Sequence, residues 1–102
     1  MTSAELHELV RSNVRKMDPE DRNRAVAVLR EHIGAQTQDL IRGRYRGDPD
    51  GWWLDSHHGW GMAVRNLLRA HRCGERDMKG VANLDDYYTH LVELAVRVET
   101  LS

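Results

Sequence analysis

The sequence predicts an all-α fold, a compact bundle of four to five helices that forms a single domain over residues 1–102. Three observations support this prediction. Apolar residues recur every three or four positions in each long segment, no stretch alternates apolar and polar residues as a strand does, and capping residues precede the segments. A chain of 102 residues with 40% hydrophobic and 30% charged content has room for one hydrophobic core.

The first predicted helix begins at a local capping signal. Thr2 followed by Glu5 matches a capping box, in which each side chain accepts a hydrogen bond from the other residue's backbone. Leu6 and Val10 then start an apolar stripe at helical spacing. The pattern predicts an amphipathic helix over residues 3–17.

The second helical region is predicted over residues 19–43. Asp18 suits the N-cap and Pro19 suits the first helical position. Gly34 leaves two alternatives, either one kinked helix that passes through the glycine or a break followed by a short third helix over about 36–43. The conformational cost of glycine inside a helix favours the break.

A long aromatic loop is predicted over residues 43–56. This stretch contains three glycines, one proline and three aspartates, which are typical of turns. We expect Trp52, Trp53 and Leu54 to anchor the loop to the core. If the tryptophans were exposed instead, they would mark a surface for a partner.

Two further helices are predicted over residues 57–72 and 84–101, and we expect them to form the core together. Gly74 follows the first of these helices and is typical of a helix stop. Asn83 precedes the second helix as its cap. The apolar face of the second helix is broad, which indicates burial on several sides.

The glycine-containing start of the 57–72 helix is the strongest candidate site. Two glycines in a helical segment indicate a close backbone approach, to another helix or to a bound group. A helix N-terminus also favours anions, and histidine and arginine would complete a pocket for phosphate or carboxylate. The predicted ligand-binding residues are His57, His58, Gly59, Gly61, Arg65, Asn66, Asp85 and Asp86.

Arginine–aspartate pairing is expected between these last two helices. If they pack antiparallel, Asp85 or Asp86 lies near Arg65 or Arg69. Two structural alternatives stay open: the acids merely favour a helix start, and the arginines merely form a solvated face. An arginine–carboxylate pair buried here would stabilise the fold rather than perform chemistry.

The composition argues against several classes of function. A net charge of −1 gives no overall attraction to nucleic acid or to an anionic membrane. The basic run over residues 42–46 fits helix-end cations and a solvated loop. No segment has the length of apolar sequence that a membrane span needs. One cysteine and an N-terminus without a secretory signal predict a cytoplasmic protein.

No catalytic residue, cofactor or metal site is predicted. The six histidines lack a partner at metal-binding spacing. Cys73 lies at a helix C-terminus, where the dipole disfavours a thiolate. Ser56 is next to a histidine and an aspartate in sequence only, and a catalytic triad is a spatial arrangement. Enzymatic activity is therefore left open, with the balance against it.

The segment from His57 to Asn66 resembles the signature of a family of small bacterial domains of unknown function. That signature reads approximately His-Phe-Gly-Leu-Gly-Met-Trp-Ile-Arg-Asn. His58 and Ala63 depart from it, where the family has phenylalanine and tryptophan. The family also tends to open its last helix with two aspartates, and the resemblance covers roughly residues 55–95. It implies no activity, but it implies one linked unit made of His57, Gly59, Gly61, Arg65, Asn66, Asp85 and Asp86.

We therefore predict a small cytoplasmic interaction module that binds a protein partner or self-associates. The predicted contact residues are Trp52, Trp53 and Trp60. The first alternative is a binding protein or small enzyme for an anionic ligand, with His57 or His58 as the acid–base group and Arg65 as the anion clamp. A further alternative is a phage- or defence-linked inhibitor or immunity protein.

Overall fold

Five α-helices and a short 3-10 turn make up the part of the chain that the computed structural model describes, residues 2–54 and 59–98. Residue 1 and residues 55–58 and 99–102 lie outside the description. No strand occurs within the described ranges, so the predicted all-α fold is confirmed. The elements are α1 (Ser3–Arg15), α2 (Pro19–His32), α3 (Ala35–Gly47), α4 (Trp60–Ala70), the 3-10 turn (Leu84–Asp86) and α5 (Tyr88–Val96).

The first two helices begin at the predicted caps. The Thr2 hydroxyl accepts a hydrogen bond from the Glu5 backbone N–H at 3.1 Å, and the Glu5 carboxylate accepts one from the Thr2 N–H at 3.3 Å. The Asp18 carboxylate accepts from the Glu20 N–H at 2.9 Å. These bonds satisfy backbone donors that the first helical turn leaves without a partner.

A break at Ile33 and Gly34 separates α2 from α3, so the alternative of one kinked helix is wrong. Ile33 adopts an extended conformation with φ −84° and ψ 116°, and Gly34 becomes the N-cap of α3. The Gln38 side-chain amide donates to the Ile33 carbonyl oxygen at 2.8 Å. This bond satisfies a carbonyl that the break removes from the helical ladder.

Helix α3 is longer than expected, because the first five residues of the predicted loop, 43–47, are helical. The Arg11 guanidinium donates to the Tyr45 hydroxyl at 2.8 Å. The Arg42 guanidinium donates to a backbone carbonyl at the end of α5 at 3.0 Å. These tertiary contacts stabilise an additional helical turn that contains Gly43 and Gly47. The helix propensities of the local residues do not predict this turn.

Helix α4 ends at Ala70 in a Schellman motif rather than at residue 72 with a stop at Gly74. Arg72 has a left-handed φ of 59°, a conformation that favours glycine. The Cys73 N–H donates to the Leu68 carbonyl oxygen at 2.8 Å, which closes the motif. A non-glycine residue therefore occupies the turn that ends the helix.

The predicted final helix over 84–101 is divided in two within the described residues. The Asn83 side chain caps as expected, since it accepts from the Asp85 N–H at 3.0 Å, but it opens the 3-10 turn instead of an α-helix. Tyr87 then leaves the helical conformation with φ −134°, and its hydroxyl donates to the Gly80 carbonyl oxygen at 3.2 Å. The α-helix begins only at Tyr88.

Helix α5 lies at the centre of the fold and contacts each of the other four α-helices. Its most extensive packing is against α2, whose Ala25 and Leu29 are completely buried. The expectation that α4 and α5 form the core together is therefore wrong about the main partner of α5, which is α2. Trp52 and Trp53 are also buried, so they anchor the loop as predicted, whereas Leu54 is about half exposed.

The surface of the described residues retains four large exposed apolar side chains, Leu9, Leu40, Leu54 and Met62. Isolated apolar side chains are normal on protein surfaces and by themselves mark no function. None of the helices within these ranges combines the length and the hydropathy that a bilayer crossing requires.

Replacing Arg72 with glycine is expected to stabilise the protein. The left-handed φ costs a residue with a side chain about 1–2 kcal/mol, and glycine avoids this cost. Glycine also adds entropy to the unfolded chain, so the expected net gain in unfolding free energy is about 0.5–1 kcal/mol. Thermal or urea unfolding measures the change.

Arg76→Gly is the matched control, because Arg76 is exposed in the same connection and has no left-handed φ. Glycine at position 76 relieves no backbone strain and only increases the conformational entropy of the unfolded chain. Arg76→Gly is therefore expected to lower the unfolding free energy. If Arg72→Gly also destabilised the protein, the assigned end of α4 would be wrong.

Candidate functional site

Arg65 is buried and its charge is balanced inside the fold. Its guanidinium lies 2.7 Å from an Asp85 carboxylate oxygen and 5.0 Å above the centre of the Tyr88 ring. Burial raises the pKa of Tyr88 to about 12, although the Arg65 cation acts in the opposite direction. The expected meeting of Arg65 with an aspartate from the closing segment is therefore present, and ligand binding there stays a prediction.

The neighbouring motif residues have separate partners. Of the two arginines expected near the aspartates, Arg65 makes the pair with Asp85, whereas Arg69 pairs with Glu75 at 3.0 Å. The hydrogen bond from Arg69 lowers the pKa of Glu75 to about 2. The Asn66 side-chain oxygen accepts from Arg69 at 3.2 Å, which ties Asn66 to the same surface pair.

The two motif glycines and Asp86 are placed without a shared pocket in the described structure. Gly59 is the N-cap of α4, and a Cβ added there would meet nothing within 4 Å, so close packing does not explain this glycine. Gly61 is buried in the first turn of α4. Asp86 is exposed; its backbone N–H donates to the Asn83 carbonyl oxygen, and its backbone carbonyl accepts from the Asn13 amide. His57 and His58 lie outside the described residues.

A buried polar cluster that sequence reasoning missed lies around Glu93. We call it the His7–Glu93 cluster, and it comprises His7, Asp50, Trp52, His90 and Glu93. The Glu93 carboxylate is 1% exposed and accepts hydrogen bonds from His7 Nε2 at 2.8 Å, His90 Nδ1 at 2.7 Å and Trp52 Nε1 at 2.8 Å. It therefore connects α1, α5 and the loop that follows α3.

The hydrogen bonds around Glu93 keep its carboxylate ionised. Burial by itself would raise the pKa of Glu93, because a charged group is costly outside water. The hydrogen bonds from His90, His7 and Trp52 outweigh burial and lower that pKa. Glu93 is thus a buried anion whose charge depends on three donors, one from α5 itself, one from α1 and one from the loop that follows α3.

His7 faces a carboxylate on each side of its ring. Nε2 contacts Glu93, and Nδ1 lies 2.9 Å from an Asp50 oxygen. A neutral imidazole has one N–H, and an ionised carboxylate can only accept. The Asp50 side chain is 48% exposed, and the pKa of Glu93 is lowered. While both carboxyl groups are ionised, both contacts are hydrogen bonds only if both ring nitrogens of His7 carry protons.

The sequence carries one signal for this cluster. Glu93 lies within a segment whose apolar face is broad enough to indicate burial on several sides, and a buried carboxylate requires donors. The identities of those donors have no local signal, because His7 is 86 residues away and Trp52 is 41 residues away. Within the described part of the chain, no three histidine, cysteine or acidic side chains are arranged to hold a metal ion.

A second candidate feature is a groove between α3 and α4, which we call the α3–α4 groove. It consists of two adjacent hollows of about 150 Å³ and 160 Å³ that share Thr37 and Trp60. The Trp60 ring packs edge-on against Trp52, with the ring centres 6.1 Å apart. The lining residues are His32, Ile33, Gly34, Thr37, Leu40, Ile41, Arg44, Trp52, Trp60, Ala63, Val64 and Leu67.

The three predicted partner-binding tryptophans have different surroundings. Trp53 is buried in the core, and most of Trp52 is also buried although part of its surface lines the groove. Trp60 is only partly buried and lines both hollows. Of the three tryptophans, Trp60 therefore has the ring that is most accessible from the surface, and partner binding stays a prediction.

No protein-family model, no curated protein and no solved structure matches this chain. The resemblance of the His57 to Asn66 segment to a family of small bacterial domains consequently stays a prediction.

Removing the Asp85 carboxylate is expected to destabilise the fold, because it leaves the buried Arg65 cation without its acidic partner. Asp85→Ala is expected to lower the unfolding free energy by about 1–2 kcal/mol, since the aspartate itself is half-exposed and water partly compensates. Urea unfolding at neutral pH measures the effect.

Asp86→Ala is the matched control, as it removes an exposed acid from the same 3-10 turn without removing a side-chain contact to Arg65. Its expected effect is within about 0.5 kcal/mol of zero. Equal losses in the two variants would show that the aspartates act only through the local turn.

Proposed function

We propose that this chain is a protein-interaction module that binds an amphipathic helical segment of a partner protein in the α3–α4 groove. The observation that carries the proposal is the groove itself, a mainly apolar hollow beside Trp52 and Trp60 with a second, more polar hollow that shares Thr37 and Trp60 with it. Grooves of this kind accept the apolar face of a helix, with anchors three or four residues apart entering neighbouring hollows.

The exposure of the groove residues supports this proposal. Leu40 is 60% exposed although it lines a hollow. Trp60 is partly buried and contributes to both hollows, which is the position that an aromatic anchor at an interface typically has. An occupying helix would remove both side chains from water.

The charge around the groove favours an acidic partner. No aspartate or glutamate lines either hollow among the described residues, whereas Arg44 lines the first and His32 lines the second. Helix α3 carries three arginines and one aspartate, and both Arg44 and Arg46 are exposed. Because the whole chain has a net charge of −1, this basic surface is a local feature that would steer an acidic helix.

The anionic-ligand alternative has less support. Arg65, its proposed anion clamp, is buried and already paired with Asp85 and Tyr88. A ligand would have to displace the Asp85 carboxylate from Arg65. Neither hollow of the groove includes Arg65 among its lining residues.

A selection experiment tests the proposed function. A displayed library of helical peptides with randomised faces is selected on the wild-type protein at neutral pH, and the enriched peptides are titrated by fluorescence anisotropy. We expect acidic peptides with two large apolar residues three or four positions apart. Leu40→Asp is expected to weaken their binding by about tenfold or more, which corresponds to about 1.4 kcal/mol.

Leu9→Asp is the matched control, because Leu9 is also about half exposed but lies on α1 and lines neither hollow. It is expected to bind the peptides as the wild type does. Selected peptides that bind Leu40→Asp and Leu9→Asp equally would contradict the groove. A wild-type dimer that Leu40→Asp converts to a monomer would replace the partner helix with a second copy of the chain.

A further inference from the structure

The loop over residues 48–54 is held against the helices through two side chains that belong to the His7–Glu93 cluster. Asp50 contacts the His7 ring on α1 at 2.9 Å, and the Trp52 indole N–H donates to Glu93 on α5 at 2.8 Å. The backbone hydrogen bonds within this segment form local turns, such as the one from the Leu54 N–H to the Gly51 carbonyl oxygen. The cluster therefore adds polar contacts to the anchoring of this loop by the buried Trp52 and Trp53 rings.

Trp52 connects the cluster to the groove. Its indole N–H ends in the cluster at Glu93, while its ring lines the first hollow and packs against Trp60. A displacement of Trp52 would therefore change the wall of the α3–α4 groove.

We infer that the His7–Glu93 cluster is a protonation-dependent latch, in which loss of the second His7 proton loosens the Trp52-bearing loop and weakens helix binding in the groove. The latch is a property of the cluster alone. Its effect on binding rests on the proposed function of the groove.

The direction of the change follows from the hydrogen-bonding capacity of imidazole. When His7 loses one proton, one of its ring nitrogens presents a lone pair to a carboxylate oxygen, and that contact becomes repulsive. The Glu93 side chain is only 1% exposed to water, whereas the Asp50 side chain is 48% exposed. Water can replace the His7 contact only for Asp50, so Asp50 and the loop are the parts that separate.

Charged and titratable groups from several parts of the fold surround His7. Asp50 and Glu93 are the acids in direct contact, and Glu8 lies next in sequence on α1. His90 reaches the same cluster through Glu93. On the basic side, Arg11 lies one turn along α1 and donates to Tyr45, whose ring meets the His7 ring edge-on at 6.4 Å.

The pH dependence has two opposite limbs. The contacts of His7 with Asp50 and Glu93 are both hydrogen bonds only while both ring nitrogens carry protons, so loss of one proton at higher pH opens the latch. Glu93 behaves in the opposite way. Because its pKa is lowered on folding, its contribution is present above the ordinary carboxyl pKa and is lost as the pH falls. The latch is thus closed between these two limits.

Hydrogen exchange of the Trp52 indole N–H, followed by NMR, tests the latch directly. The exchange rate of the indole N–H in a free tryptophan amide, measured at each pH, corrects for the intrinsic effect of pH. We expect the protection factor of the Trp52 indole to fall by about tenfold or more between about pH 6 and about pH 9. A protection factor that does not change with pH would overturn the latch.

Asp50→Asn is the variant that separates the latch from a merely structural contact. An asparagine amide can donate to a deprotonated Nδ1, so neutral His7 keeps a partner on both sides. We expect protection of Trp52 in Asp50→Asn to stay constant over the same pH range. If the Trp52 indole of this variant lost its protection against exchange at the same pH as the wild type, the role assigned to His7 would be wrong.

Binding of the selected acidic peptide tests the coupling to the groove. Wild-type affinity is expected to fall severalfold over the pH range in which Trp52 loses protection, and the affinity of Asp50→Asn is expected to stay level over that range. If the hydrogen exchange of the Trp52 indole changes with pH while the affinity for the peptide does not, the latch does not act on the groove. If no helical peptide binds at any pH, the proposed function fails, whereas the exchange data still decide the latch.

Discussion

The buried carboxylate of Glu93 is the interaction on which the rest of this structure depends. An ionised acid without water is strongly unfavourable unless donors surround it. Here His7, His90 and Trp52 supply those donors from α1, from α5 itself and from the loop after α3. Removing a donor would leave part of an internal charge unsatisfied. The cluster therefore fixes how the first helix and the aromatic loop are placed against the central helix.

The position of His7 gives the same cluster its second property. Its ring lies between two carboxylates, so it donates hydrogen bonds to both only while it holds two protons. The Asp50 side chain is more exposed to water than Glu93, and Trp52 lies in the same loop as Asp50. In the proposed latch, loss of one proton therefore changes the wall of the α3–α4 groove, where Trp52 and Trp60 shape the surface offered to the proposed partner helix.

The sequence predicted the parts of the structure that depend on nearby residues. The cap at Thr2 follows from residues within one helical turn, and the pairing of Arg65 with Asp85 needed only the additional assumption that two helices meet. The His7–Glu93 cluster could not be predicted from the sequence, because His7 and Glu93 are 86 residues apart and no local pattern relates them. The left-handed Arg72 was missed for a different reason: the closing bonds of the motif fixed the turn without glycine.

Nitrogen-15 NMR of the His7 side chain tests the central claim most directly, with His7→Gln used to assign the signals. The account predicts that both ring nitrogens carry protons at about pH 7, with the resonances of an imidazolium, while Glu93 remains ionised. A ring with one protonated and one bare nitrogen at that pH would contradict it, since one of the two carboxylate contacts would then have no hydrogen to share.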